Sequence, residues 1–334
     1  MLQWLLIALT FSVPVWAADS GNSSGPTSDS EAKILWREGK ADFEAKKFEE
    51  AARTLSRYVD RYPSYPGYLD AQLLLGMSYL SLKQPEKALK YLKYYTEALG
   101  NSTDSMRGRL PLGQSYLLLK KFNEAYLVSE ELIRFTATKT FPPGFNLKAL
   151  LLKTEALIGM NRDARANQAL DAFRKELKKD PDAEASDLRA PFRFSELTLK
   201  TRSCSKFPSQ GPLDEAQIRS QLIRKGDCLL EASTIFMELI RTGDEDWVKP
   251  AIPLLGSSYQ SYINNCTTPP NPPGKRTAQE LASYKQELTM LLKKDGRAKM
   301  DRTLEILNTA PLPNSMMELL KSAVSNLKKE SESL

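Results

Sequence analysis

The chain has 334 residues, of which 41% are hydrophobic and 26% charged, and its 47 basic and 41 acidic residues give a net charge of +6. This composition is typical of a soluble helical protein, and the basic residues are spread along the chain, which argues against a nucleic-acid surface. Histidine is absent, so the usual general base and the commonest metal ligand are missing.

Motifs of catalysis and metal binding are also missing from the sequence. Cys204, Cys228 and Cys266 are spaced unlike any zinc site. There is no G-x-G-x-x-G fingerprint, phosphate loop or G-x-S-x-G elbow. Carboxylate pairs such as Asp244 and Asp246 are interpreted as exposed acids at helix starts. We therefore predict a protein that is not an enzyme and has no cofactor, no metal, no small-molecule substrate and no nucleic-acid partner.

The first residues predict export. Residues 2–16 are almost all apolar, and Val15 and Ala17 suit positions −3 and −1 of a cleavage site, so residues 1–17 are predicted to be a signal peptide. An uncleaved membrane anchor is the alternative, although the run is short for a span of about 20 residues. Residues 18–31, rich in Gly, Ser, Asn and Thr, are predicted to be a flexible linker.

From residue 32 to about residue 141 one pattern of small residues recurs every 37 residues. A glycine is followed twelve residues later by an alanine, in the pairs Gly39 and Ala51, Gly76 and Ala88, and Gly113 and Ala125. Residues this small allow the two helices of a hairpin to approach closely where they cross. We interpret these six residues as repeat-packing positions.

This pattern resembles the tetratricopeptide repeat, a helix–turn–helix unit of nominally 34 residues. The resemblance implies an all-α fold, a solenoid of helical hairpins, with about four repeats over residues 32–180. The predicted helix pairs are 33–45 with 48–62, 68–82 with 85–99, 104–119 with 122–136, and 147–159 with 162–178. In the fourth repeat, Leu152 is assigned to the glycine position and Ala164 to the alanine position.

Residues 181–334 are predicted to continue the solenoid as divergent helical hairpins, because apolar residues recur there at helical spacing. Helices are expected at 186–201, 213–242, 247–265, 277–293, 297–309 and 315–329. The proline-rich residues 267–274 are interpreted as a stiff surface linker. At most one disulfide is expected, and Cys204, in a predicted loop, is paired with Cys228 in preference to Cys266.

The resemblance also implies a binding groove. In tetratricopeptide arrays the first helix of each unit lines the concave face, at positions three before, one after and four after the glycine. Here these positions are Trp36, Lys40, Phe43, Leu73, Met77, Leu80, Leu110, Gln114 and Leu117. Their apolar members are expected to form one contiguous strip that suits an amphipathic helix or an extended apolar peptide. The alternative is that the C-terminal half of the same chain fills the groove.

Export and repeats together predict a non-enzymatic scaffold or adaptor of a bacterial cell-envelope assembly, in the periplasm, with other envelope proteins as partners. The bacterial assignment comes from the resemblance alone. Membrane association is expected only through partners or an uncleaved signal. The alternative function is a periplasmic holding chaperone for exported clients, which would bind many segments weakly. Asn22, Asn101 and Asn265 begin triplets that would be glycosylation acceptors in a eukaryotic secretory pathway.

Overall fold

The computed structural model describes residues 28–138, 141–142, 144–179, 186–207, 213–272, 274 and 276–308, with scattered positions between 317 and 332. Within these residues every regular element is a helix and no strand occurs, which confirms the predicted all-α fold. In the same part of the chain, no helix combines the length and the apolar composition that crossing a membrane requires. The predicted signal peptide, most of the predicted linker and most of the last predicted helix lie outside the described residues.

The chain divides into two compact units, residues 1–183 and 184–334. The described helices of the first unit are α1 (Ser28–Glu44), α2 (Phe48–Arg61), α3 (Tyr68–Ser81), α4 (Pro85–Leu99), α5 (Ser105–Leu118), α6 (Phe122–Thr138), α7 (Phe145–Gly159) and α8 (Asp163–Lys179). Each helix packs against the next, and α1, α3, α5 and α7 also contact each other in order. The first unit is therefore a stack of helical hairpins.

The same tight turn closes all four hairpins. Its central residue has a positive φ of 56–62° in every case, and these residues are Lys46, Lys83, Lys120 and Asn161. The following residue donates its backbone N–H to the carbonyl five residues earlier, as from Lys47 to Asp42 at 2.8 Å. This is a left-handed helix C-cap, which satisfies carbonyl groups that the helix itself cannot satisfy. The turn residue defines the register of each repeat.

This register corrects two predicted positions in the fourth repeat. The buried alanine stands five residues after the turn residue, so in the fourth repeat it is Ala166, which is fully buried. Ala164 is exposed instead. The glycine position, seven residues before the turn residue, is held by Thr154 and not by Leu152. The cause is a longer connection: the third and fourth turn residues are 41 apart (161 − 120), against 37 in the earlier repeats.

The first helix begins earlier than predicted: α1 includes residues 28–31, which the sequence assigns to the linker. Asp29 accepts hydrogen bonds from Lys33 and from the hydroxyl of Tyr65. Glu31 accepts from Arg61 at 2.8 Å and from a second tyrosine, Tyr62, at 2.9 Å. Acidic side chains are also favourable in the first turn of a helix.

The second unit contains α9 (Ser186–Ser205), α10 (Glu215–Ile240), α11 (Glu245–Thr267) and α12 (Ala278–Asn308). The central helix, α10, packs against the other three. A capping box starts it: Asp214 accepts from the Gln217 backbone N–H at 2.8 Å, and the Gln217 side chain accepts from the Asp214 N–H at 3.0 Å.

Two expectations for the second unit are corrected. The sequence predicts separate helices at residues 277–293 and 297–309, but α12 runs without a break through residues 294–296. The carboxylate of Asp295 accepts from Lys299 at 2.8 Å and from Tyr262 at 3.3 Å, which supports the helix at the expected break. In the predicted surface linker, Pro269 and Pro272 are buried.

Candidate functional site

Close helix crossings set the geometry of the first unit. In the first two repeats a fully buried leucine covers the glycine: a Cβ on Gly39 would lie 2.7 Å from Cγ of Leu55, and one on Gly76 would lie 2.6 Å from Cγ of Leu92. No side chain larger than hydrogen fits there unless the leucine moves. The repeat-packing role of the glycines thus has a direct steric basis.

Two buried tyrosines, one in each of the first two repeats, tie these repeats to the next. The sequence analysis does not identify them. The hydroxyl of Tyr58 donates to the carbonyl of Pro66 at 2.7 Å, and that of Tyr95 donates to the carbonyl of Asp104 at 3.0 Å. Burial raises the pKa of both phenols to about 12. The two tyrosines are 37 residues apart, which is the period of the repeat, and this spacing could have identified them as a repeated position. Leu132 stands at this position in the third repeat.

The helices that carry the predicted groove residues are stacked in register. Asp70 on α3 and Arg107 on α5 occupy the same position of successive repeats, and the guanidinium lies 3.3 Å from the carboxylate. The nine predicted groove residues lie on α1, α3 and α5, the neighbouring first helices of the hairpins. We call these nine side chains the inner row.

Seven members of the inner row are half-buried, whereas Leu73 and Leu80 are not accessible. These two leucines are 2% and 0% exposed and belong to a core cluster that includes Leu92 and Met106. The expected contiguous apolar strip is therefore interrupted in the second repeat, where only Met77 remains half-buried. The reason is that the face of α3 that carries these leucines is packed into the core shared with the third repeat.

The remaining apolar members are partly engaged with their own repeats. Trp36 packs on Tyr58 with ring centroids 5.8 Å apart, and Phe43 packs edge-on against Phe48, also at 5.8 Å. Leu110 and Leu117 pack at the margin of the core. The corrected register also identifies the equivalent positions in the fourth repeat, which the sequence reasoning missed. They are Leu151, Glu155 and Ile158.

In the second unit a disulfide joins Cys204 and Cys228, with Cα atoms 5.5 Å apart, and this is the pair favoured from the sequence. Cys204 lies in the last turn of α9 and not in a loop. The antiparallel pairing of α9 with α10 brings it to the middle of α10, as the ion pair between Arg193 and Glu238 at 3.1 Å also indicates. Cys266 is a free, buried thiol, and burial raises its pKa to about 11, so it stays protonated at neutral pH.

Two lysines of the second unit are held by polar groups of neighbouring helices. The ammonium of Lys299 lies 2.9 Å from Asp227 and 2.8 Å from Asp295, and donates to the carbonyl of Ile223 at 2.7 Å. The ammonium of Lys225 donates to Asn265 at 2.7 Å, and burial lowers its pKa. Such contacts fasten α10 to α11 and α12. Among the described residues, no group of three or more His, Cys, Asp or Glu side chains could hold a metal ion.

Comparison with protein families finds the tetratricopeptide repeat model at residues 34–65 and 70–99, the first two hairpins of the stack. These two matched segments are tetratricopeptide repeats. Among solved structures, a tetratricopeptide repeat protein from Parabacteroides merdae ATCC 43184 is 9% identical, with 90% of this chain and 99% of that chain covered and a TM-score of 0.43. No curated protein matches.

Tetratricopeptide repeat proteins are generally non-catalytic scaffolds, and the repeats indicate protein partners in general. The two matched hairpins supply α1 and α3, and α5 follows them in the stack, so the inner row lies on three neighbouring first helices. This arrangement presents half-buried side chains from successive repeats at a regular spacing. It is suited to bind an extended or helical segment of another protein.

Proposed function

We propose that the protein is an exported, non-enzymatic scaffold of a bacterial cell-envelope assembly, and that it binds a segment of another envelope protein along the inner row. One observation carries the binding proposal: half-buried inner-row side chains stand on stacked first helices of tetratricopeptide repeats. A partner segment would add contacts that these side chains lack in the chain alone, and each additional buried CH₂ is worth about 0.8 kcal/mol.

The chemistry of the row favours a partner with a mixed surface. Trp36 and Phe43 offer aromatic contacts in the first repeat, and Met77 offers an adaptable thioether in the second. Lys40 and Gln114 add polar groups beside them. An amphipathic helix or an extended segment with alternating apolar and polar side chains would match this sequence of contacts.

Two features support export. The apolar start of the chain is typical of a secretory signal. The disulfide between Cys204 and Cys228 suits an oxidising compartment, since cytosolic thiols are kept reduced. Placement in the periplasm rests on these features and on the bacterial assignment. Fractionation of cells that express the full chain, with detection of the processed and disulfide-bonded form, tests it.

Position-specific crosslinking tests the binding surface. A photoreactive amino acid placed at Met77 or Gln114 in the full chain should crosslink one defined partner in cells. The same group at Gln168, exposed on α8, is the control and should give no such product. Many weak products from Met77 would instead indicate a holding chaperone, and equal products at all positions would refute the proposed surface.

A charge substitution at Met77 distinguishes the two expected occupants of the inner row, a partner protein and the chain itself. If a partner covers it, Met77→Asp should abolish partner capture and leave the melting temperature nearly unchanged. If the side chain is covered within the chain itself, the same substitution should destabilise the fold, because a buried unpaired charge is costly. Leu127→Asp is the matched control, since Leu127 is 62% exposed on α6.

A further inference from the structure

Glu155 is the acidic side chain at the groove positions of the four repeats. In the register that the turn residues define, it stands one residue after the glycine position, as Lys40, Met77 and Gln114 do in the first three repeats. Its helix, α7, contacts α5, so Glu155 continues the line of these side chains into the fourth repeat. The side chain is half-buried. The line therefore ends in a carboxyl group.

The surface around Glu155 on its own helix is apolar. Residues three and four positions away on an α-helix share a face with it. Here these residues are Leu151, Leu152, Ile158 and Gly159. Lys153, two residues away, lies on another face of α7, where its ammonium is 2.6 Å from Glu130 of α6. Glu155 thus has no neighbour on α7 that neutralises its charge.

Both cations of the neighbouring first helix, α5, are engaged elsewhere. Arg107 lies 3.3 Å from Asp70. Arg109 is paired with Glu131. Within the described part of the chain, no side chain forms an ion pair or a hydrogen bond with the Glu155 carboxyl group. Desolvation without a compensating cation raises the pKa of this carboxyl to about 8.

The opposite end of the line is different, because its charge is already compensated. The ammonium of Lys40 lies 3.9 Å from the carboxylate of Glu44, one turn further along α1. Met77 and Gln114 carry no charge. The fourth repeat is thus the place along this line where a charged group lacks a counterpart. A cation from outside the chain would stabilise the ionised form of Glu155 and lower its pKa.

We propose that Glu155 is a specificity-determining residue of the inner row, and that it receives a lysine or arginine of the partner segment. This inference rests on the proposed binding function and adds the chemistry of one contact. Adjacent helices pack about 8–10 Å apart. The basic side chain should therefore follow the residue that contacts Gln114 by about three positions in an extended segment, or by about six in a helix. Apolar side chains should flank it, because Leu151 and Ile158 flank Glu155.

The test uses the full chain and three fluorescently labelled amphipathic peptides. Each has roughly 18 residues, enough to cross three helices of the stack at 1.5 Å per residue. The peptides share an apolar face of leucine and alanine and differ at one central position of that face, which holds Lys, Gln or Glu. The Lys peptide should bind about tenfold more tightly than the Gln peptide, the value of one charge-assisted hydrogen bond.

Variants of Glu155 assign this preference to its carboxyl group. Glu155→Gln should abolish the preference for Lys, and Glu155→Lys should reverse it in favour of the Glu peptide. The matched control is Glu124→Gln, the same loss of charge at an exposed position of α6, and it should leave the preference unchanged. The melting temperature of Glu155→Gln should not fall, because the substitution removes a desolvated carboxyl that has no partner. The proposal is overturned if no peptide binds, if the parent does not distinguish Lys from Gln, or if the control loses the preference.

Crosslinking in cells separates this inference from the proposed function. A photoreactive amino acid at Gln114 should capture the partner, and adding Glu155→Gln should reduce the product severalfold, whereas adding Glu124→Gln should not. A product that persists in full with Glu155→Gln would overturn the role of Glu155 and leave the binding function intact. Absence of any product from the parent would overturn the binding function and this inference with it.

Discussion

The side chain of Leu152, on α7, packs against Gly113, on α5, in the space that a Cβ on this glycine would occupy. In the first two repeats a leucine of the same repeat covers the glycine, but the third repeat has Ser129 at that position. A residue of the next repeat thus replaces the missing leucine. The two repeats are coupled through this contact.

We predict that Gly113→Ala lowers the free energy of unfolding by about 1–3 kcal/mol through overpacking. Leu152→Ala should be destabilising alone, but the double variant should be more stable than the sum of the single effects predicts. Urea titration of the four proteins measures this coupling. Gly256→Ala is the control: nothing lies within 4 Å of its added Cβ, so it should be neutral or stabilising. Strict additivity would contradict the contact.

Replacing single alanines by leucine tests the corrected register of the fourth repeat. Ala166 is fully buried, so Ala166→Leu should cost about 1–3 kcal/mol of stability, as should Ala88→Leu and Ala125→Leu. Ala164→Leu should change stability by no more than about 0.5 kcal/mol, because Ala164 is exposed. Thermal melts of Ala166→Leu and Ala164→Leu decide between the corrected register and the predicted one. A larger loss from Ala164→Leu would restore the assignment made from the sequence.

The turn residues predict a stabilising substitution. Lys83 has a φ of 59°, a conformation that costs a residue with a side chain about 1–2 kcal/mol and costs glycine little. Lys83→Gly should therefore raise the melting temperature. Lys90→Gly, within α4, should lower stability by about 1 kcal/mol and serves as the control for loss of a lysine. If both changes destabilise the protein, the turn does not require a positive φ at Lys83.

The buried tyrosines predict loss of stability at high pH. Burial raises the pKa of Tyr58 and Tyr95 to about 12 from the usual tyrosine value of 10.0. The unfolded chain then loses these protons at lower pH than the folded chain does, so stability is retained below about pH 10 and falls between about pH 10 and 12. The slope of the unfolding free energy over this range should be smaller in the double variant Tyr58→Phe, Tyr95→Phe. An unchanged slope would assign the loss to other groups.

Removing the disulfide should destabilise the second unit. Cys204 and Cys228 are 24 residues apart, and closing a loop of this size contributes about 3 kcal/mol in the chain-entropy model. Cys204→Ala with Cys228→Ala should lower the unfolding free energy by roughly that amount. Peptide mapping without reductant should recover this pair and leave Cys266 as the thiol that is alkylated only after unfolding. Three reactive thiols in the native protein would refute the pairing.

The first three repeats are predictable from the sequence because their crossing points demand particular residues. Gly39 and Gly76 face leucine side chains, so the small-residue pattern directly records the packing. The fourth repeat is placed two residues too early because Thr154 replaces the glycine and a longer connection precedes it. In such a repeat the turn conformation, which the sequence pattern does not reveal, carries the register.

The inner row is only partly predictable. A helical period identifies the face of α3 that carries Leu73 and Leu80, but it does not reveal how deeply a neighbouring helix covers that face. The burial of both leucines depends on packing with the third repeat. Partner binding by the other seven residues stays a prediction.

The ion pair between Asp70 and Arg107 has a consequence for the length of the array. Because these residues hold the same position in successive repeats, an in-phase duplication of the second repeat would place an aspartate opposite an identical aspartate. Attraction would become repulsion at the new junction. Unequal recombination that adds a copy would therefore yield a mismatched neighbour, so the second repeat is fitted to the third and is not an interchangeable copy.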